Sequence, residues 1–138
     1  LGTYDKMSVA EYEEFGRPYD LRVLEAAQDM WFNIMHMHGN APMFELLSQY
    51  PVQALNWHDQ LVDISLADGR RMSDKLLIGG VEELKVLAEA DDEQLKAHLK
   101  SSLEQVPDGR LILAPGCCVP LYVPEDRLAR AQEALAGI

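Results

Sequence analysis

Two histidines separated by one residue stand out in the sequence, at the end of a strongly apolar run. His36 and His38 follow residues 31–35 and precede Gly39-Asn40, which is typical of a strand that opens into a loop. Side chains alternate across a strand, so the two imidazoles are expected on the same face. Two imidazoles side by side at a strand end can bind a metal ion or polarise a substrate. Further groups have to come from other parts of the chain.

The composition is that of a globular protein and argues against several classes of partner. With 138 residues and 48% hydrophobic content, the chain is long enough to form one domain, residues 1–138, with its own core. A net charge of -11 argues against binding to nucleic acid or to an anionic membrane. No apolar run reaches membrane-spanning length, and no signal peptide is visible. We therefore predict neither a nucleic-acid partner nor a membrane partner.

The two cysteines, Cys117 and Cys118, are neighbours in the sequence. A disulfide between adjacent residues is strained, so we predict two free thiols. Free thiols are typical of a reducing compartment, and we predict a cytoplasmic protein. Neighbours on an extended segment face opposite ways, so only one of the two cysteines is expected to point into a site.

Helical and strand patterns alternate along the chain. Apolar runs predict strands at 31–36, 52–57, 76–81 and 111–114. A capping box from Ser8 to Glu11 predicts a first helix, and Pro18 opens a second helix that ends near Ala27. Further helical segments are predicted at 42–49 with Asn40 as its cap, at 62–67 closed by Asp68-Gly69, at 82–90, from Asp91 or Asp92 to Val106, and at 124–136 with Leu128, Ala131 and Leu135 facing inward.

The order of these elements, a helical region followed by four strand–helix units, predicts a parallel α/β sheet. Short apolar strands such as 76–81 suit a sheet that is covered by helices on both sides. Sites in such sheets lie beyond the carboxyl ends of the strands. The polar, glycine and cysteine residues found at those ends are His36 and His38, then Asn56, His58 and Asp59, then Gly79 and Gly80, and finally Gly116, Cys117 and Cys118.

An ordered set of short motifs resembles the uroporphyrinogen decarboxylase superfamily, and in particular its branch of cobamide-dependent methyltransferases. The motifs run through nearly the whole chain: Glu14-Phe15 with Pro18-Tyr19, His36-Met37-His38-Gly39-Asn40, Ala54-Leu55-Asn56-Trp57, Leu77-Ile78-Gly79-Gly80-Val81, and Leu113-Ala114-Pro115-Gly116-Cys117 before Val119-Pro120. The family fold is a TIM (β/α)8 barrel of roughly twice this length. The resemblance implies that the chain is a half-barrel fragment, the C-terminal half with four parallel strands alternating with helices.

The resemblance also implies a metal site and its ligands. The methyltransferase-like branch holds zinc through His-x-Cys at one strand and through a Pro-Gly-Cys turn at the last strand. His36 matches the histidine and Cys117 matches the later cysteine, whereas His38 stands where the first cysteine would be. Decarboxylases of the family carry Gly-His-Gly at the last turn, where this chain has Gly116 followed by Cys117 and Cys118. This difference argues against decarboxylation.

We therefore predict zinc as a cofactor, held by His36, His38 and Cys117. Zinc accepts imidazole nitrogen and thiolate sulfur, and three protein ligands with an open fourth position form the pattern of catalytic sites. A thiol that arrived at the open position would lose its proton and become a nucleophile. The alternative is that the histidines only form hydrogen bonds and that Cys117 is a small buried side chain.

Other residues at the strand ends are predicted to act on a substrate. His58 and Asp59 are a candidate catalytic acid/base pair, because a carboxylate can fix the tautomer of a histidine. Adjacent residues rarely face each other, so the alternative is that one lines the site while the other caps a loop. Asn56, Gly79 and Gly80 are predicted to bind substrate, with tight packing as the alternative for the glycines.

Three functions follow from these predictions. The first is zinc-dependent transfer of a methyl group from a corrinoid-type donor to a small thiol. The second is decarboxylation of a tetrapyrrole by a uroporphyrinogen decarboxylase, a lyase without metal. The third is a truncated or degenerate half that only binds a tetrapyrrole or a partner chain. In each case the open edges of a four-stranded sheet predict a homodimer, or pairing with the missing half of the barrel.

Overall fold

The computed structural model of the protein describes residues 2–138. The described chain begins with two helices and then alternates strands with helices. In chain order the elements are α1 (Val9–Phe15), α2 (Arg17–Ala26), β1 (Ile34–Met37), α3 (Phe44–Leu47), β2 (Ala54–Trp57), α4 (Leu66–Met72), β3 (Leu76–Val81), α5 (Val86–Glu89), α6 (Asp92–Glu104), β4 (Leu111–Pro115) and α7 (Asp126–Ala136).

The four strands form one parallel sheet in the order β1-β2-β3-β4. The predicted parallel α/β architecture is thus confirmed, with each strand next to its neighbour in sequence. Because the strands are parallel, all four carboxyl ends lie at the same end of the sheet. β1 and β4 are the outer strands, and each has one edge without a neighbouring strand among residues 2–138.

The two faces of the sheet differ sharply in burial. On one face, Leu55, Trp57 and Leu77 are fully buried under the helices. On the other face, Ile34 is 50% exposed and Ile112 is 45% exposed. The prediction that helices cover the sheet on both sides is therefore wrong for the described residues. The open face corresponds to the interior of a barrel, which needs further strands to close.

Full burial of the residues on either side of Asn56 fixes the direction of its side chain. Leu55 and Trp57 point into the helical layer, and the indole N–H of Trp57 donates to the carbonyl of Ile64 at 2.8 Å. Burying a side chain of this size contributes about 2 kcal/mol or more. Since neighbours on a strand alternate, Asn56 has to face the open side.

The first strand begins later than predicted. β1 starts at Ile34, and Trp31 is 89% exposed rather than part of the strand. The reason is pairing: Ile34 lies opposite Ala54, the first residue of β2. In addition, the side-chain amide of Asn33 donates a hydrogen bond to the carbonyl oxygen of Ala27, just after α2.

The prediction that Asp68-Gly69 closes a helical turn is wrong, because α4 runs through both residues. The helix begins after Ser65, whose hydroxyl accepts the N–H of Asp68 in a capping box. Gly69 is required inside the helix because a Cβ there would lie 2.5 Å from the indole ring of Trp57. The glycine therefore allows close packing and does not end the helix.

Two other predictions about helices are corrected. α3 is a single turn with Met43 as its N-cap, and Asn40 does not cap it; the N–H of Asn40 donates to Asp5. In α7, Leu128 is 47% exposed and Leu135 is 39% exposed instead of buried. Both line an apolar groove beside β4, one of the two outer strands of the sheet. No helix among residues 2–138 is both long enough and apolar enough to cross a membrane.

Candidate metal centre

His36, His38 and Cys117 converge at the end of the sheet where the carboxyl ends of the strands lie. The Sγ atom of Cys117 lies 3.7 Å from Nε2 of His36 and 4.0 Å from Nδ1 of His38. One ligand atom from each residue lies within 4.8 Å of the other two. The histidines come from β1 and the loop after it, and the cysteine comes from the loop after β4, 79 residues or more away in sequence. The fold thus brings the three predicted ligands together.

These separations suit a tetrahedral metal ion. With Zn–N bonds of about 2.0 Å and a Zn–S bond of about 2.3 Å, a nitrogen and a sulfur on one zinc ion are about 3.6 Å apart. The distances of 3.7 Å and 4.0 Å are close to this value, so small side-chain shifts would bring the sulfur and each nitrogen to bonding distance of one ion. Soft sulfur with two imidazole nitrogens is also a donor set that zinc accepts.

Asn56 determines which nitrogen of His36 faces the cysteine. The two residues are paired in register on β1 and β2, and Nδ1 of His36 lies 2.5 Å from Oδ1 of Asn56. An amide oxygen can only accept, so Nδ1 carries the proton. Nε2 of His36 is then left with a free lone pair, and it is this atom that lies towards Cys117. Such support from a second residue is common behind histidines that bind metal.

The orientation of Asn56 is itself fixed by the neighbouring strands. Its Nδ2 atom donates to the carbonyl of Ile78 at 2.9 Å and to that of Pro115 at 3.3 Å. Asn56 therefore connects β1, β2, β3 and β4 in one row. All of its polar atoms have partners within the chain, so the structure gives Asn56 a role in positioning His36. Contact with substrate, as predicted from the sequence, stays a prediction.

A glycine allows the last turn to reach the centre of the sheet. A Cβ at Gly116 would lie 2.8 Å from the carbonyl oxygen of Trp57 and 3.0 Å from Cα of His58. This close approach places Cys117 next to the histidines, while Cys118 is exposed, as expected for neighbours that face opposite ways. Burial raises the pKa of the Cys117 thiol, and the charge of Glu83 adds to the rise.

His58 lies at the centre but pairs with a different carboxylate from the one predicted. Its ring centroid is 5.3 Å from that of His38 and 6.3 Å from that of His36. Its Nδ1 atom lies 3.0 Å from Oε1 of Glu83, which is only 2% exposed. His58 is therefore paired with Glu83 and not with Asp59, which agrees with the alternative that only one of the two sequence neighbours lines the site. The catalytic role of both residues stays a prediction.

Asp59 binds the backbone of β3. Both carboxylate oxygens accept the N–H of Gly80, at 3.0 Å and 3.1 Å, and Nε2 of Gln60 donates to one of them. Burial raises the pKa of Asp59. A Cβ at Gly79 would collide with this carboxylate, and Gly80 has φ +90°. The two glycines make room for Asp59 here, so their contact with substrate stays a prediction.

Glu83 is the residue of this centre that sequence reasoning missed. It is the second residue after β3, the same position relative to its strand that Cys117 has relative to β4. Its place just beyond the carboxyl end of a strand was a usable signal. The pairing with His58, 25 positions away, depends on how β2 and β3 lie side by side.

This chain is similar in fold to a solved structure, and its sequence matches a family model. Among solved structures, the fold is similar to that of a methyltransferase from Methanosarcina mazei, with a TM-score of 0.80 and 21% sequence identity. The match covers 99% of this chain and 39% of that chain, so the four parallel strands form part of a TIM barrel. A comparison with curated proteins finds no match. The family model for uroporphyrinogen decarboxylase (URO-D) matches residues 3–137, and the chain therefore belongs to the uroporphyrinogen decarboxylase family.

Proposed function

We propose that this chain carries the zinc-binding part of an enzyme that transfers a methyl group from a corrinoid-type donor to a thiol. The observation that carries the proposal is the convergence of His36, His38 and Cys117 from opposite edges of the sheet. The fold's likeness to a methyltransferase supports it as well. The chain spans 39% of that protein, so the proposal concerns the protein at its natural length.

The donor set agrees with a catalytic zinc site. Two imidazoles and one thiolate would give zinc three protein ligands and leave a fourth position for a substrate. Zinc, when bound, would supply a positive charge that lowers the pKa of a thiol in the open position. Because only one of the three ligands is anionic, the positive charge is only partly compensated.

The residues of this chain would hold and orient the reactants. Asn56 keeps the lone pair of His36 available, and Gly116 lets Cys117 approach. In the transfer, the sulfur atom of the substrate supplies the electron pair for the new S–CH3 bond. The donor keeps the electron pair of the broken cobalt–carbon bond, and the thiol proton leaves to solvent.

Decarboxylation of a tetrapyrrole is the competing function, since it is the reaction for which the family is named. Such a reaction needs groups that stabilise negative charge on a pyrrole and its carboxylate arms. Decarboxylation does not require a thiol beside two imidazoles. The placement of Cys117 therefore favours methyl transfer.

The test uses the natural-length protein with methylcobalamin as donor and 2-mercaptoethanol as thiol, and follows the absorbance change on loss of the methyl group. We expect Cys117→Ser to abolish the transfer, because sulfur is the only anionic ligand. Cys118→Ser is the matched control and should have little effect, since that side chain is exposed and outside the cluster. Activity that survives in Cys117→Ser, together with decarboxylation of a porphyrinogen, would show that the competing function is the right one.

A further inference from the structure

We propose that Asp5 is a positioning residue for His38, because it holds the loop that follows this candidate ligand. The inference rests on the proposed function, since His38 is one ligand of the proposed metal centre. Asp5 acts through the backbone of residues 39–41 and belongs neither to the cluster of three candidate ligands nor to the sheet. The N-terminal segment would thereby contribute to a site at the carboxyl ends of the strands.

His38 lies just beyond the part of β1 that the sheet holds. The pairing of β1 with β2 ends at Met37, one residue earlier. His36 lies within the paired strand, and Asn56 fixes its ring at 2.5 Å. Among residues 2–138, the hydrogen-bonding neighbour of the His38 ring is the sulfur of Cys117, at 4.0 Å. The position of His38 therefore depends on the loop after β1 more than that of His36 does.

Asp5 binds this loop directly after His38. Its carboxylate accepts the N–H groups of Asn40 and Ala41, both at 3.1 Å. A carboxylate that binds two successive N–H groups fixes the course of the backbone, and such charge-assisted bonds are stronger than neutral ones. Hydrogen bonds from the Thr3 hydroxyl and from these N–H groups lower the pKa of Asp5. The negative charge that holds the loop is thus present at neutral pH.

Thr3 reinforces the contact between the N-terminal segment and the loop. It is 1% exposed, and its hydroxyl lies 2.7 Å from Oδ1 of Asp5 and 2.9 Å from the carbonyl oxygen of Ala41. Gly39, the residue next to His38, has φ +122°, and a Cβ there would lie 2.5 Å from Oγ1 of Thr3. The N-terminal segment therefore packs directly against the residue that follows the candidate ligand.

These contacts hold His38 from both directions along the chain. The paired part of β1 precedes it, and the loop bound by Asp5 follows it. A ligand that is already in place loses little conformational freedom when a metal ion binds. Without Asp5, the metal would have to order the loop as well, so its affinity should fall while the number of bound ions stays the same.

The test loads the natural-length protein with Co2+ in place of zinc. Competition with a chelator measures the cobalt affinity, and the visible absorption bands report the geometry around the ion. We expect Asp5→Ala to lower the affinity about tenfold, the fold-change that corresponds to one lost charge-assisted hydrogen bond, with one cobalt per chain at saturation. Its visible bands should shift towards those of His38→Ala. Thr3→Val keeps the shape of the side chain without the hydroxyl and should lower the affinity by a smaller factor.

Asp91→Ala is the matched control, because Asp91 is also exposed and its carboxylate also accepts a backbone N–H, that of Gln94 in the capping box of α6. Chemical denaturation should show a loss of stability in both aspartate variants, whereas only Asp5→Ala should change cobalt binding. Should Asp5→Ala fail to fold, the same measurements on Thr3→Val decide.

Three results would count against the inference. Cobalt affinity and visible bands of Asp5→Ala equal to those of the unmodified protein would overturn it and leave the proposed metal centre intact. An equal loss of affinity in Asp91→Ala would overturn it as well, because the effect would then follow general stability. Failure of the unmodified protein to bind cobalt would remove the proposed function and this inference with it.

Discussion

At the scale of single residues, Asn56 links the sequence most directly to the chemistry. Its two neighbours, Leu55 and Trp57, are fully buried, so the amide faces His36. The carbonyls of Ile78 and Pro115 take both N–H groups of the amide and leave its oxygen for the imidazole. One side chain therefore sets the tautomer of a candidate metal ligand.

Replacing this residue tests the arrangement. Asn56→Ala removes the acceptor for Nδ1 of His36 and leaves the carbonyls of Ile78 and Pro115 without their donor. We expect zinc affinity to fall by about 10- to 100-fold, as is typical when the partner of a metal-binding histidine is lost. Competition with a chromophoric chelator measures the affinity. Zinc affinity equal to that of the unmodified protein would show that Asn56 does not orient His36.

Asp59 predicts a dependence of stability on pH. Burial raises its pKa above the ordinary value of 3.8, so the folded state keeps the proton to higher pH than the unfolded state. The contribution of Asp59 to stability therefore falls as pH rises from 3.8 through its raised pKa. Asp59→Asn cannot lose a proton. We expect its free energy of unfolding, relative to the unmodified protein, to increase between about pH 4 and neutral pH. A difference that stays constant with pH would contradict this account.

At the scale of elements, the parallel sheet and the first helix cap were predicted, whereas boundaries that depend on contacts between elements were not. The capping box of α1 from Ser8 to Glu11 is confirmed, because both partners lie within one helical turn. The start of β1 was missed, because it depends on the first residue of β2. The continuation of α4 through Gly69 was missed, because the glycine is required by the ring of Trp57.

The site follows the same division between local and tertiary information. Motifs placed His36, His38 and Cys117 at strand ends, and the structure brings the three side chains together. A pair of His58 with its sequence neighbour Asp59 was one of two alternatives, and the structure shows His58 next to Glu83 instead. Such a pairing arises only when β2 and β3 lie side by side, and it leaves no periodic pattern in the sequence.

The capping box of α4 gives a prediction at this scale. Ser65→Ala removes the acceptor for the N–H of Asp68 at the first turn of the helix. We expect a loss of about 1 kcal/mol in the free energy of unfolding, measured by chemical denaturation. Ser101→Ala is the control, because Ser101 is exposed within α6 and does not cap a helix. Equal effects of the two substitutions would show that the cap contributes nothing.

At the scale of the whole molecule, one face of the sheet is not covered by helices among the described residues. The two outer strands each lack a neighbouring strand on one side. β1 and β4 each have a free edge within the described chain, and Ile34 and Ile112 are about half exposed on the open face at 50% and 45%. Four parallel strands do not close a barrel. Exposed strand edges and apolar surface favour pairing with other strands.

Residues 1–138 produced alone are therefore expected to self-associate. Light scattering over a range of concentrations should show a mass that rises above that of one chain. Ile112→Lys places a charge on the open face and should shift the equilibrium towards the monomer. A folded monomer at high concentration, with no difference between the two forms, would contradict this expectation.

The central claim is that His36, His38 and Cys117 bind one zinc ion. The most direct measurement combines the zinc content of the natural-length protein, purified without chelators, with X-ray absorption spectroscopy of the zinc. We predict one zinc per chain with two nitrogen ligands and one sulfur ligand from the protein, and loss of the metal in Cys117→Ala. Substoichiometric zinc that is unchanged by Cys117→Ala would contradict the claim.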